Sequence, residues 1–299
     1  MAQLEKMVLK STELSPGFQI QRALPQRGLR RVGAWAFLDH IGPVQLSPTL
    51  GMHVHSHPHI GLSTFTWMIS GEIQHHDSLG HNLAIKPGQV NLMTAGNGIA
   101  HTEVSIGESG CMHAAQLWIA LPEHAKDIPA SFQNYPELPQ IPSPHLTETV
   151  LIGQWQDCIS PVTAHTPIVG VDLHAQADYQ QTFELNPEFE YGFLPMIGDL
   201  NVNGECVKTG EFAYLPTGET SLSLQASAGS RALLIGGEPL DEELILWWNL
   251  IARTQAEIEQ ARADWEAQSP RYGELAQLGD GWLHAPEITG NLIASKSQR

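Results

Sequence analysis

Histidine is concentrated in one stretch: eight of the fifteen, at 53, 55, 57, 59, 75, 76, 81 and 101, fall between residues 53 and 101. His53, His55, His57 and His59 alternate strictly. In an extended strand alternate side chains share a face, so a His-x-His pair can hold one metal ion between two imidazoles. Downstream, Ile99-Ala100-His101-Thr102-Glu103 puts His101 and Glu103 two residues apart by the same rule. A pair from each run supplies three neutral nitrogens and one carboxylate, a donor set suited to a divalent transition ion. Such a centre carries a net +1 charge. It leaves one or two positions of a five- or six-coordinate ion for water, substrate or dioxygen.

Strands must position these pairs, and the surrounding sequence reads that way. Short apolar runs alternate with Gly/Pro/Asn turns through about 235 residues: GLSTFTWMISGEI, QVNLMTAGNGI, AAQLWIALP, VLIGQ, FEYGFLPMIGDLNV, EFAYLPTGET and RALLIGGEPL each fit strands bounded by turns. The period changes late. Leu244, Ile251, Ile258 and Trp265 recur every seven residues beside Trp247 and Trp248. With Asp241 as N-cap and Pro270 as stop, a helix is expected over about 241–268, its apolar stripe packed on a barrel.

An internal repeat divides the chain. Gly71-Glu72-Ile73 has a counterpart in Gly198-Asp199-Leu200, and the run from Pro87 to Gly96 parallels that from Thr209 to Gly218. The copies lie about one small β-domain apart. The Pro-rich stretch 136–144 between them reads as an extended linker. Two tandem β-domains are expected, 1–138 with the histidines and 139–299 with the helix.

A longer string surrounds the histidines: His57-Pro58-His59-Ile60-Gly61, Thr64, Gly71-Glu72-Ile73, His76-Asp77-Ser78-Leu79-Gly80, Pro87-Gly88, Met93 to Ile99 and His101-Thr102-Glu103. It resembles the pirins, a family of the cupin superfamily. Phe37 to Pro43, Gln116-Leu117-Trp118 and Gly236 to Leu240 leading into Trp247-Trp248-Asn249 extend the resemblance over nearly the whole chain. It implies an all-β protein of two tandem cupin barrels (double-stranded β-helix, or jelly-roll) with a C-terminal helix. It also implies one divalent transition metal in the first barrel, usually Fe(2+), with Mn, Co, Ni and Cu open. Carried over, the metal ligands are His57, His59, His101 and Glu103. The matching offsets in the second copy fall on Glu184, Asn186, Ser223 and Gln225, so that barrel is expected to be metal-free and structural.

This chain departs from many pirins in having Ile60 where Arg follows His-Pro-His, and Ser63 where Glu stands. Around the ligands, His55 is placed at the rim of the site and His76 behind it. Ser63, Phe65 and Trp67 share the parity of the ligand histidines and are expected to face the barrel interior, although core packing explains the two aromatics equally well. The resemblance implies quercetin 2,3-dioxygenase-like cleavage of a flavonol or similar enolisable aromatic with O2. Glu103 would act as the catalytic base toward the enolic hydroxyl. A reading of another class stays open beside it, an iron-binding, redox-responsive, non-catalytic regulator that binds a protein partner such as a transcription cofactor or metabolic enzyme.

Composition narrows the field further. The 299 residues are 42% hydrophobic and 16% charged, with a formal charge of −17. That charge is uneven: +3 over the first 50 residues, −14 over 51–237 and −6 beyond. So acidic a body repels phosphate backbones, which argues against direct nucleic-acid binding. No apolar run is long enough to span a membrane, and the start carries no secretory pattern. Cys111, Cys158 and Cys206 are odd in number and widely spaced, which fits neither a disulfide framework nor a thiolate cluster. A cytoplasmic monomer is expected.

Overall fold

Strands Leu62–Ser70, Gly110–Ala120 and Trp35–Leu46 are buried along most of their length, with no polar face turned to water. A sheet packed on both sides has this signature, and the computed structural model, which describes residues 3–279 and 281–296, shows why. These strands are central in a seven-stranded antiparallel sheet of order Ser131–Tyr135, Val90–Thr94, Leu62–Ser70, Gly110–Ala120, Trp35–Leu46, Phe18–Leu24, Lys10–Ser15. One face lies opposite a four-stranded sheet, His53–His59, Ile99–Ser105, Ile73–Asp77, Asn82–Ile85, which completes the first barrel. The other face meets the second barrel.

The second barrel repeats the plan. Glu5–Val8, Glu211–Leu215, Glu190–Ile197, Arg231–Gly237, Ile168–Ala175, Leu146–Trp155 and Gln140–Pro142 form its large sheet, with Cys158–Ile159 as a side branch. Tyr179–Glu184, Ser221–Ala226, Leu200–Val202 and Glu205–Val207 form the small one. The two large sheets stack back to back, with Phe65, Trp67 and Leu117 packed against Ile152, Leu194, Phe212 and Ile235. The inside of the second barrel is filled by Phe183, Tyr191, Leu222 and Leu224. Glu184, Asn186 and Gln225, the positions that match the first barrel's ligands by offset, are exposed, and Ser223 is half-buried.

The chain passes from one large sheet to the other between Tyr135 and Gln140, through the Pro-rich stretch. Both ends then cross back. Glu5–Val8 pairs with Glu211–Leu215 on the edge of the second sheet. Residues beyond 244 return to the first barrel, where Leu250 bridges Ile60 and Trp282 bridges Ser56.

The C-terminal helix is shorter than the seven-residue recurrence implies. It spans Gln255–Glu266 with Thr254 as N-cap, and Thr254 and Glu257 form a reciprocal capping box. Asp241 is not a cap. Ile245–Trp247 and Leu250–Ala252 form a β-hairpin, and Trp248 at its turn takes φ +52°. Leu244 and Ile251 therefore belong to the hairpin segment, and only Ile258 and Trp265 of the recurrence lie on the helix, both buried. The helix ends at Glu266, and Pro270 opens a following 3-10 turn. Trp265 stacks on Trp282 at 4.0 Å.

Candidate metal centre

His57 and His59 project from the His53–His59 strand into the first barrel, across from His101 and Glu103 on the antiparallel neighbour. All four are buried. His57, His59 and His101 bring one ligand atom each within 4.8 Å of one another. His75, His101 and Glu103 form a second such group sharing His101.

Hydrogen bonds fix two of the imidazole tautomers. His57 Nδ1–H donates to the carbonyl of His55 at 2.8 Å, and His59 Nδ1–H donates to the carbonyl of Asn249 at 2.9 Å. Each Nε2 is then a bare lone pair turned inward. The Nε2 atoms of His59 and His101 lie 3.1 Å apart. With metal–nitrogen bonds of about 2.0–2.1 Å, two adjacent ligands on an octahedral ion are separated by about 3 Å. His101 Nδ1 is buried without a partner among the described residues. Burial holds His57 down to about 4, and it holds His59 and His101 well below the usual range, helped by their mutual proximity. Neutral, converging imidazoles fit a divalent ion.

Glu103 adds the carboxyl. Burial pushes its pKa up to about 7, so near neutrality it exchanges a proton readily. Facing it across the strand pair is His75. His75 Nε2 contacts Asp77 Oδ2 at 3.1 Å, and Asp77 also accepts from His81 Nδ1 and from the main-chain N–H groups of Leu79 and His81. Burial opposes the ionised form of Asp77, but the contacts from His75 and His81 prevail and hold its pKa below the usual value.

The strict alternation of histidines does not continue on one face. His57 pairs with His101 but Val54 pairs with Glu103, so His55 and Ser56 together oppose Thr102. This β-bulge reverses the parity of everything before it. Val54 joins the cavity lining, whereas His53 and His55 are exposed. His55 serves the site through its carbonyl alone.

A second reversal follows His59. Gly61 sits at φ +66°, where a Cβ would fall 2.2 Å from the carbonyl oxygen of Ile251. Past it, the even positions of Leu62–Ser70 face the barrel: Thr66 Oγ1 donates to Gln116 of the cavity wall at 2.7 Å. Phe65 and Trp67 point the other way into the inter-barrel core, correcting the expectation that they line the interior. Ser63, on their parity, is held by Thr94 at 2.9 Å and is absent from the cavity lining. His76 is likewise out of the cluster. On the Ile73–Asp77 strand it is His75 that shares the face of Glu103.

The donors open on a cavity of about 480 Å³. One wall is the stacked pair Phe37 and Trp118, 4.0 Å between ring centres, with the edge of His59 against Trp118 at 5.2 Å. Arg22 lies over Phe37 at 4.4 Å and grips Asp39 with two bonds of 2.8 Å. Trp248, Asn249 and Leu283 complete the lining from the returning C-terminal segment. Phe37 and Trp118 fall within motifs visible in the sequence. The carbonyl of Asn249 carries no side-chain signal. His75 becomes visible only once the Ile73–Asp77 strand is known to pair with Ile99–Ser105, which sets it opposite Glu103.

Back-to-back antiparallel jelly-rolls, one with a cluster of imidazoles inside and the other filled with apolar side chains, define a two-barrel cupin. The profile of the family described as Pirin matches residues 17–119, and that of the Pirin C-terminal cupin domain matches residues 170–270. A Pseudomonas aeruginosa protein named provisionally as a quercetin 2,3-dioxygenase is 44% identical over 97% of this chain and 92% of its own length. A pirin-like protein of Caulobacter vibrioides is 36% identical over 86% of this chain and 91% of its own. The crystal structure of a quercetin 2,3-dioxygenase from Acinetobacter baumannii superposes with a TM-score of 0.95 at 46% identity, covering 98% of both chains. The chain belongs to the pirin family.

Proposed function

We propose that the protein is a metal-dependent dioxygenase of the quercetin 2,3-dioxygenase type, which opens a flavonol or similar enolisable aromatic with O2. The observation that carries this reading is that three buried imidazoles and one buried carboxyl line a single cavity together with a stacked aromatic pair. The cavity is of a size that small-molecule sites commonly have. The names of the 44% and 46% identical relatives point to the same reaction class.

His57, His59, His101 and Glu103 are the residues that would hold the ion, with His75 beside them. A divalent transition metal bound there, Fe(2+) in first place and Mn, Co, Ni or Cu otherwise, supplies a Lewis acid and a place for O2. Glu103, which gives up its own proton when the ion binds, would accept the hydroxyl proton of the substrate and leave an electron-rich enolate exposed to O2. Phe37 and Trp118 offer a flat apolar surface for the aromatic rings. The Arg22–Asp39 pair gives a polar edge within reach of ring hydroxyls. Leu283 and Trp248 add apolar lining from the C-terminal segment.

The test is oxygen uptake with quercetin by protein loaded anaerobically with iron, alongside Glu103→Gln. Uptake matched to flavonol loss, and abolished in the variant, is expected. Protein that carries about one ion per chain yet consumes no O2 with any flavonol overturns the enzyme reading. It would favour a regulator recognised by a protein partner.

A further inference from the structure

We propose that the chain carries a second binding site, for a carboxylate-bearing amphiphile, in the cavity between the arginine-rich turn around residues 27–31 and the last described residues. This cavity measures about 860 Å³ and shares no lining residue with that of the histidines.

Its cationic side is built by Arg27, Arg30 and Arg31. Arg31 is 3% exposed and donates to the main-chain oxygens of Leu240, Glu242 and Ser295 at 3.1, 2.8 and 3.3 Å. Its Nε is buried with no acceptor among the described residues. The carboxylates that attract it are Glu190 and Glu242, and both are engaged elsewhere. Glu190 accepts from the Gly33 N–H and the Tyr214 hydroxyl. Glu242 accepts from Arg253 and from the Glu123 N–H. Neither forms a salt bridge with Arg31, and burial pulls its pKa down to about 10. The fold thus holds a buried guanidinium in no direct ion pair beside the cavity, and its charge adds to that of Arg27 and Arg30 in favouring an incoming anion. Arg27 and Arg30 are exposed and make no ion pair among the described residues. Asp241, on the neighbouring turn, is bound to Lys296 at 2.6 Å. In a chain of net charge −17, this turn lies in the one region with positive balance.

The other side is apolar. Leu244, Leu246 and Ile251 form the floor, and Ile293, 84% exposed, stands at the mouth. An inorganic anion would leave this surface wet, whereas an anion with an alkyl or aryl body covers it. Leu244 and Ile251 also pack in one cluster with Phe37 and Trp118. An occupant would therefore lean on the back of the wall that lines the metal cavity.

The probe is anilinonaphthalene sulfonate, an aryl anion whose fluorescence rises on transfer from water, titrated into the full chain. Saturable binding at one site is expected, displaced by decanoate at least about tenfold more effectively than by decanol, as a charge-assisted contact requires. Replacing the two exposed arginines together (Arg27→Gln with Arg30→Gln) weakens binding about tenfold or more by the same reasoning. Filling the floor with Leu246→Trp blocks it. Binding that is indifferent to both the arginine pair and Leu246→Trp, or displaced equally by decanol, overturns the site. So does the absence of saturable binding. The arginine variant keeps the test informative if Leu246→Trp folds poorly.

Discussion

His59 donates its Nδ1–H to the main-chain oxygen of Asn249 across 2.9 Å, joining residues 190 positions apart. That bond fixes the ring's tautomer and aims Nε2 inward, so the returning C-terminal hairpin helps to shape the candidate metal centre. The hairpin turns on Trp248, at φ +52°. Proline cannot adopt that angle and glycine adopts it freely. Trp248→Pro is therefore expected to swing the Asn249 carbonyl away and to lower metal affinity by about tenfold to a hundredfold, the usual cost of losing an outer partner of a ligating histidine. Trp248→Gly should keep the affinity. Metal titration of the two variants decides it, and equal affinity in both would detach the hairpin from the site.

The bulge at His55–Ser56 sorts four alternating histidines into two groups. His57→Ala, His59→Ala and His101→Ala should each lose bound metal on elemental analysis, whereas His53→Ala and His55→Ala should retain it. His55→Ala keeps the carbonyl that His57 uses, so only a bulge that fails to form in solution would make the alanine at 55 costly. Loss of metal in His53→Ala would show that the face assignment is wrong.

Much of this site is legible in residue types and spacing because chemistry constrains both. A metal centre would need imidazoles and a carboxylate such as His57, His59, His101 and Glu103, and paired strands bring these four to one cavity. What stayed hidden depends on single-residue shifts of register. The bulge at His55–Ser56 and the turn at Gly61 each reverse side-chain parity, so His55, Ser63, Phe65 and Trp67 leave the face that alternation assigns them. His75 takes the place expected near His76 through a regular antiparallel pairing that sets it opposite Glu103. The helix start was obscured differently. Hairpin positions Leu244 and Ile251 happen to continue the seven-residue spacing of Ile258 and Trp265, so the recurrence runs past the true helix start at the Thr254–Glu257 capping box.

Metal affinity should depend on pH through one proton. His57 titrates near 4, and His59 and His101 are held well below their usual range, so the imidazoles are already neutral above pH 5. Glu103, near 7, still carries its proton there. A cation must displace it, so affinity is expected to rise about tenfold per pH unit up to pH 7 and then level off. Without metal, the dependence of stability has the opposite sign. A carboxyl raised above its unfolded value of about 4.3 favours the fold at low pH, and that contribution is lost as pH rises from there toward 7. Isothermal titration at several pH values with Glu103→Gln checks the first claim. A slope that survives in the variant assigns the proton to another group.

The helix cap offers a stability contrast. Thr254→Ala removes the hydroxyl that accepts the Glu257 N–H and should cost about 0.5–2 kcal/mol. Asp241→Ala removes only an exposed contact to Lys296 and should leave the denaturation midpoint almost unchanged. The reverse order of effects would restore the longer helix.

Phe65 separates fold from function most cleanly. It is fully buried, edge-on to Trp35 at 5.4 Å, in the core between the two large sheets. Phe65→Ala should leave a cavity there and destabilise the protein by about 3–5 kcal/mol. Because the ring points away from the histidines, metal content and the metal's dissociation constant should not change while the variant remains folded. Trp118→Ala supplies the contrast, since Trp118 touches His59 and forms the cavity wall with Phe37. Its loss should impair turnover of an aromatic substrate at intact metal content. Chemical denaturation and elemental analysis of both variants distinguish the two faces. A folded Phe65→Ala protein with depleted metal would place Phe65 on the wrong side of its strand.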